Sequence, residues 1–246
     1  ILDMKHIRSD SIRAIVANSG NANACTGKQG HKDAAAMAAL TASLLNIPSD
    51  SVLVASTGVI GVPLPMQYVE HGIKNACNNL SYGGGKDAVQ AIMTTDTYEK
   101  SVTVEFELEG KRVLLSGIAK GSGMIHPNMA TMLGFITTDA NITKDMLQKA
   151  LSESVSKTYN MISVDGDTST NDMVIILANA AADNKLIESA DESFEAFKQA
   201  LDLLNAELSK KIVRDGEGAT KLIQCTVSNA ISYDDACVLS KSVIGS

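Results

Sequence analysis

The chain has 246 residues, of which 45% are hydrophobic and 20% are charged, as is typical of a folded globular protein. Its formal net charge of −7 argues against a nucleic-acid-binding surface, because such a surface needs clustered Lys and Arg. No apolar run reaches the roughly 18 residues that a membrane-spanning helix requires. We therefore expect neither a nucleic acid nor a membrane as a partner.

In chain order, the hydrophobic pattern predicts alternating strands and helices. It predicts strand 12–17, helix 31–46, strand 52–55, helix 66–80, helix 87–93, strands 102–108 and 112–118, strand 131–138, helix 143–157, strand 173–178, helix 193–212 and strand 222–231. The stretch 18–27 is predicted to be a loop of small residues. The turn Glu109–Gly110 between two alternating runs indicates a β-hairpin. Strands adjoin too often for a strictly parallel α/β fold, so we expect an α+β protein with mixed sheets.

The cysteines and acidic residues indicate no metal site. No C-x-x-C pair or zinc-spaced His accompanies the four cysteines, which are Cys25, Cys77, Cys225 and Cys237. The segment 165–172 resembles the start of a calcium loop, but Thr170 replaces its glycine and Ile176 its final glutamate. We therefore expect reduced thiols, a cytoplasmic location and no bound metal, with Asx turns at 165–172.

The segment 120–135 offers a chemical mechanism. A Gly- and Pro-containing loop leads into a predicted strand that begins at Thr131, after Ala130. The Thr131 hydroxyl could attack the preceding carbonyl, and hydrolysis of the ester would free an α-amine with a pKa of about 7.7–8.0. One residue would then supply both nucleophile and base. The alternative is a threonine that merely favours a strand.

Six segments carry a resemblance to a known family. They are ANSGNANACTG (17–27), VASTGVIG (54–61), AIMTTDT (91–97), GIAKGSGMIHPNMATML (117–133), VDGDTSTND (164–172) and DGEGATK (215–221). In sequence and order they resemble the ornithine acetyltransferases, bifunctional glutamate N-acetyltransferases of arginine biosynthesis. Because that family's proteins extend further at both ends, we expect this chain to be a fragment lacking both family termini.

The resemblance implies a fold, a maturation step and a reaction. The fold would be the layered αββα sandwich that the family shares with self-processing aminopeptidases of the DmpA type. A precursor would cut itself between Ala130 and Thr131, and its α and β chains would remain together as α2β2 or a larger assembly. Acetyl would pass from N-acetylornithine to glutamate through an acetyl-threonine ester. No cofactor is implied, although some members accept acetyl-CoA as the donor.

Maturation would also divide the chain by origin. Region 1–140 would hold the α-chain part of the core and the first β-chain strand. Region 141–246 would hold further helices and strands of the β chain, incomplete at its C-terminus. The boundary at 140 is only weakly marked in the sequence.

The family's functional residues carry over position by position. Thr131 would be the nucleophile, and Thr57 and Gly58 would form the oxyanion hole. The substrate-binding positions would be Thr97, Lys120, Glu217 and Thr131 itself. Without the resemblance, Thr57 and Gly58 are typical of a turn at the end of a strand. Lys120 is then an ordinary surface lysine, and Glu217 a solvated turn residue. Asp172 and Asn18 receive no firm role.

Two other functions remain open at this stage. One is a self-processing aminopeptidase or amidohydrolase with an N-terminal nucleophile, which would release its acyl group to water. The other is an inactive fragment that binds amino acids. Product analysis with and without glutamate separates transfer from hydrolysis, and an uncut polypeptide would indicate the inactive fragment.

Overall fold

The computed structural model describes residues 1–9, 11–126 and 132–246. The chain forms two compact units, Ile1–Thr94 and Thr95–Ser246. Each contains helices and strands, which confirms the predicted α+β class with mixed sheets. The predicted boundary at residue 140 lies inside the second unit, so the division by chain origin stays a prediction. The predicted cleavage residues Ala130 and Thr131 lie outside the described residues.

The first unit is built around two parallel strands. Its elements are α1 (Leu2–His6), β1 (Ala14–Asn21), α2 (Gly27–Leu45), β2 (Val52–Val59), α3 (Met66–Asn78) and α4 (Gly85–Ala91). In the register of β1 and β2, Ala14 lies opposite Val52 and Asn21 opposite Val59. Parallel neighbours need a crossover connection, which α2 provides. The predicted loop at 18–27 is wrong at its start, because β1 continues to Asn21.

Helix α2 ends where its sequence requires. Asn46 adopts a left-handed conformation with φ 54°, which asparagine tolerates at a helix end. Pro48 follows and cannot continue a helix. Buried Met37 of α2, Val52 of β2 and Ile73 of α3 belong to one apolar cluster, which forms the core of this unit.

Gly58 of β2 approaches the backbone of β1 closely. It lies opposite Gly20 and has a φ of 130°, a conformation that side-chain-bearing residues rarely adopt. A Cβ placed on Gly58 would lie 2.2 Å from the Gly20 carbonyl carbon and 2.5 Å from the Asn21 nitrogen. Both sterics and backbone conformation therefore favour glycine at this position.

The second unit has a four-stranded sheet with one long helix packed against it. Its elements are β3 (Lys100–Leu108), β4 (Lys111–Lys120), β5 (Leu133–Thr138), α5 (Lys144–Lys157), β6 (Met173–Ala178), α6 (Glu192–Arg214) and α7 (Tyr233–Ile244). The strand order is β3-β4-β5-β6, with antiparallel pairing except between β5 and β6. The hairpin is confirmed: Glu109 and Gly110 have φ values of 49° and 78°, as in a two-residue turn between twisted strands.

Helix α6 supplies much of the core of the second unit. Its buried apolar residues recur every three or four positions, at Phe194, Phe197, Leu201, Leu204 and Leu208. The side chains of Leu204 and Leu208 lie so near Gly117 of β4 that an added Cβ would come within 3 Å of both. The helix thus packs directly on the sheet, and the helix predicted at 193–212 is confirmed.

The C-terminal part differs from the prediction. The strand predicted at 222–231 is wrong: the segment has no regular structure, and Ile223 and Ile231 are exposed. No described strand pairs with it, and an unpaired strand leaves its backbone groups without ladder partners. Helix α7 follows instead, with the Ser232 hydroxyl accepting a hydrogen bond from the Asp235 amide at 3.1 Å.

No helix in the described part of the chain is both long and apolar enough to cross a membrane.

The close approach at Gly58 predicts a position-specific loss of stability. Gly61→Ala is the matched control, since Gly61 has a φ of 80° but open space where a Cβ would stand. We expect the control to lose about 1 kcal/mol from backbone strain. Gly58→Ala should lose about 1–3 kcal/mol more, because the methyl group also meets backbone atoms of β1. Chemical denaturation measures both, and equal losses would contradict the steric argument.

Candidate functional site

The predicted oxyanion-hole residues lie at the end of β2 in the first unit. Thr57 is buried, and it pairs in register with Ser19 of β1. The neighbouring pair is Asn18 and Ser56, whose side-chain oxygens are buried and have no hydrogen-bond partner among the described residues. Buried polar atoms are almost always hydrogen-bonded, so these two oxygens are exceptions.

The predicted substrate-binding residues converge in the second unit. Lys120 ends β4 and is only 2% exposed, whereas Thr97 and Glu217 are exposed. Thr97 precedes β3, and Glu217 follows α6. Three elements distant in the chain therefore bring these residues to one place, where the carboxylate of Glu217 acts on the charge of Lys120.

A buried ion cluster of Asp96, Lys100 and Asp215 lies beneath these residues. The Lys100 Nζ is 2.6 Å from the Asp96 carboxylate and 2.5 Å from that of Asp215, and all three side chains are 2% exposed or less. Burial would raise the pKa of Asp215, but hydrogen bonds from Lys100 and Thr97 hold it below its ordinary value. Asp215 is therefore a charged acceptor at neutral pH.

The ion cluster was missed in the sequence. Asp96 and Asp215 fall within the family segments, but Lys100 looks like an ordinary strand residue. The only local signal is the spacing of four residues between Asp96 and Lys100, and 115 residues separate Lys100 from Asp215.

The ion cluster fixes the backbone beside two predicted site residues. Asp215 accepts hydrogen bonds from both the amide, at 2.9 Å, and the hydroxyl of Thr97. Asp96 accepts one from the Gly121 amide at 2.7 Å, immediately after Lys120. The positions of Thr97 and of the end of β4 therefore depend on the same three buried charges.

Glu217 rests on the loop that follows β4. Its amide donates to the Ser122 carbonyl at 2.7 Å, and the Ser122 hydroxyl lies 2.6 Å from that of Thr95. A Cβ added to Gly123 would stand 2.6 to 2.9 Å from the carboxyl atoms of Glu217. The absence of a side chain at Gly123 thus allows the carboxylate to lie against the backbone.

The segment 165–172 supports the same loop. Asp165 accepts hydrogen bonds from the amides of Met124 and Ile125, and also from that of Asp167 in an Asx turn. No group of three or more metal-binding His, Cys, Asp or Glu side chains occurs within the described ranges.

Lys120 has an unusual electrostatic environment. Burial lowers its pKa, and the charge of Lys100 adds to that effect, whereas Asp96, Asp172 and Glu217 oppose it. A lysine ammonium can bind a carboxylate, and an exposed glutamate can bind an ammonium group. Lys120 and Glu217 together therefore suit a ligand that carries both groups, as amino acids do.

Asp172 joins this environment to the start of β5. Its Oδ1 accepts a hydrogen bond from the Met132 amide at 2.9 Å, while its Oδ2 is buried without a partner among the described residues. Burial raises the pKa of Asp172 from 3.8 to about 7, although the Met132 amide, Lys120 and Ser169 oppose the shift. Asp172 therefore anchors the residue that follows Thr131, a role the sequence did not predict.

The comparison with known families decides the classification. All of residues 1–246 match the ArgJ family model. The chain belongs to the ArgJ family. This confirms the resemblance to ornithine acetyltransferases that the six sequence segments carry, while the individual residue roles stay predictions.

Several relatives show the extent of the match. The chain is 60% identical over 246 residues to "Arginine biosynthesis bifunctional protein ArgJ 1" of Clostridium acetobutylicum, covering 100% of this chain and 60% of that protein. A crystal structure of the ArgJ protein of Bacillus halodurans is 43% identical, with a TM-score of 0.48, and covers 52% of this chain and 68% of that one. An ornithine acetyltransferase of Mycobacterium tuberculosis, complexed with ornithine, is 33% identical, with a TM-score of 0.45 and the same coverage. This chain spans about 60% of the length of the first curated relatives.

The raised pKa of Asp172 predicts a pH-dependent stability. Between pH 4 and 7 the folded state holds a proton that the unfolded state has lost, so this group makes the protein less stable as pH rises through that window. Asp172→Asn keeps an oxygen for the Met132 amide but cannot ionise. Relative to the wild type, its free energy of unfolding should therefore increase from pH 4 to 7 and then level off. Urea denaturation at a series of pH values measures this, and parallel profiles would contradict it.

Proposed function

We propose that the protein transfers an acetyl group from N-acetylornithine to glutamate in arginine biosynthesis. The observation that carries this proposal is the ArgJ family match over the whole chain, together with relatives named as bifunctional arginine biosynthesis proteins. The site agrees with an amino-acid substrate, because a buried lysine and an exposed glutamate lie close together. The protein is also proposed to act in the cytoplasm, without nucleic-acid or membrane partners.

Thr131 is the proposed nucleophile, formed by self-cleavage. Its Oγ attacks the carbonyl carbon of Ala130, the peptide C–N bond breaks, and the nitrogen takes up the hydroxyl proton to become a neutral α-amine. Water then hydrolyses the ester, releasing the Ala130 carboxylate and restoring the hydroxyl. The hydrogen bond from Met132 to Asp172 supports this assignment, because it anchors the chain next to Thr131.

Acetyl transfer follows as two exchanges. The Thr131 Oγ attacks the acetyl carbon of N-acetylornithine, and ornithine leaves with a proton on its nitrogen. The amine of glutamate then attacks the acetyl ester, giving N-acetylglutamate and the free hydroxyl. The Thr131 α-amine accepts and returns the proton. No cofactor is needed, and acetyl-CoA is an alternative donor, from which CoA would leave as the thiol.

Thr57 and Gly58 are proposed to bind the oxyanion of each tetrahedral intermediate. One such donor contributes about 2.7–4 kcal/mol to transition-state stabilisation. The burial of Thr57 supports this role, since donors act more strongly away from water. Cleaved α and β chains are proposed to stay together, as α2β2 or a larger assembly.

Replacing the nucleophile should abolish both maturation and transfer. In the full-length protein, we expect denaturing mass spectrometry to find a cut between Ala130 and Thr131 and, after addition of N-acetylornithine, an acetyl adduct on the piece that begins with Thr131. Thr131→Ala should give an uncut chain, whereas Thr137→Ala, at an exposed position of β5, should be cut normally.

Two outcomes would contradict the proposed function. An uncut wild-type chain would refute the self-cleavage. Release of acetate, with no N-acetylglutamate when glutamate is present, would identify a hydrolase instead.

The contact between Gly123 and Glu217 predicts a selective loss of binding. Gly123→Ala would push the flexible, exposed carboxylate away while leaving the core intact. We expect about a threefold to tenfold loss of ornithine affinity, the equivalent of one hydrogen bond, with little change in melting temperature. Gly83→Ala, where open space surrounds the added methyl group, is the control. Calorimetric titration measures the affinity, and unchanged binding would contradict a substrate role for Glu217.

A further inference from the structure

The ion cluster of Asp96, Lys100 and Asp215 is costly to bury. Each ion taken out of water incurs several kcal/mol that only close pairing and further hydrogen bonds offset. Here Lys100 lies between both carboxylates, and both carboxylates also accept backbone amides. Replacement of such a cluster by well-packed apolar residues is often neutral or stabilising, so fold stability alone is a weak reason for the cluster.

The cluster is hydrogen-bonded to Thr97 and to the residue after Lys120, and it lies close in the chain to Glu217. Asp215 holds the amide and hydroxyl of Thr97, and it stands two residues before Glu217. Asp96 holds the amide that follows Lys120. A shift of any one member of the cluster therefore moves residues that are proposed to bind the substrate.

The cluster also sets the direction of the Thr97 hydroxyl. An ionised carboxylate can only accept hydrogen bonds, so the hydroxyl proton must point at Asp215. The lone pairs of that oxygen remain, and Thr97 itself is exposed. Toward a ligand, Thr97 therefore presents acceptor sites only.

We propose that the ion cluster of Asp96, Lys100 and Asp215 is a positioning device that makes Thr97 an acceptor for an N–H group of the substrate. This inference rests on the proposed function, since it concerns the same amino-acid site. Asp215 and Lys100 do not touch the substrate. They act through Thr97 and through the backbone beside Lys120 and Glu217.

A double-mutant cycle tests the coupling between Asp215 and Thr97. In Asp215→Asn, the amide oxygen can keep the Thr97 amide and Lys100, so its NH2 group must face the Thr97 oxygen and turn the hydroxyl proton outward. Thr97→Val removes the hydroxyl but keeps the shape. We expect each change to weaken binding of N-acetylornithine and raise its KM by about threefold to tenfold, the range for one hydrogen bond. The double variant should bind N-acetylornithine as tightly as whichever single variant binds it less tightly. We expect a smaller effect on kcat than on KM.

A purely structural role predicts a different pattern. The two losses would then multiply, because the variants would act independently. Thr97→Ser, which keeps the hydroxyl, should restore most of the affinity lost in Thr97→Val. Lys111→Met breaks the exposed Lys111–Asp183 ion pair in the same unit and should leave KM unchanged.

Substrate analogues test the acceptor role in variants that leave the cluster intact. They are 2-acetoxy-5-aminopentanoate, which lacks the amide N–H, N-acetylnorvaline, which lacks the side-chain ammonium, and N-acetylputrescine, which lacks the carboxylate. If Thr97 accepts from an N–H group, the loss in Thr97→Val should disappear with one of the first two and persist with N-acetylputrescine. If it disappears only with N-acetylputrescine, the hydroxyl donates to the carboxylate and the inference is wrong.

The outcomes separate this inference from the proposed function. A mature wild-type protein that binds neither ornithine nor N-acetylornithine would overturn both. Normal acetyl transfer with multiplicative losses, or with analogue data pointing to the carboxylate, would overturn the positioning role alone.

Discussion

One lysine, held between two aspartates away from water, fixes both the end of β4 and the segment that leads into β3. Lys100 is the first residue of β3, Asp96 lies four residues before it, and Asp215 caps the end of α6. The cluster therefore joins the start of a strand to the end of a helix. Removing one partner would leave a buried charge uncompensated, which commonly costs about 3–5 kcal/mol. The geometry of the site and the stability of this unit thus have a common origin.

The two units position their predicted functional residues by different physical means. In the first, sterics dominate, because Gly58 fits against β1 only without a side chain. In the second, electrostatics dominate, and neutral substitutes for Asp96 or Asp215 would keep the shape but lose the direction of the hydrogen bonds. Gly123 combines both effects, since its missing Cβ leaves space for a charged group.

The sequence predicted best those features that depend on residues close together in the chain. Helix α6 and the β3–β4 hairpin depend on spacing within a few residues, so their patterns were readable. The ion cluster depends on a pairing across 115 residues, and no local pattern marks Lys100 as buried. The strand prediction for 222–231 was wrong for the opposite reason. Its local apolar pattern is typical of a strand, but no described strand lies beside it to pair with. The site residues came from family segments, Asp172 among them, but the role of Asp172 emerged only from its contact with Met132.

The charges around Lys120 explain why a lysine can be buried there. Lys100 and Lys120 are balanced by Asp96 and Asp215, so these four side chains are together neutral when ionised. Asp172 and Glu217 add negative charge, but Asp172 is only partly ionised near neutral pH because its pKa is about 7. The charges of Asp96, Asp172 and Glu217 thus favour the charged form of Lys120 and oppose the effect of its burial.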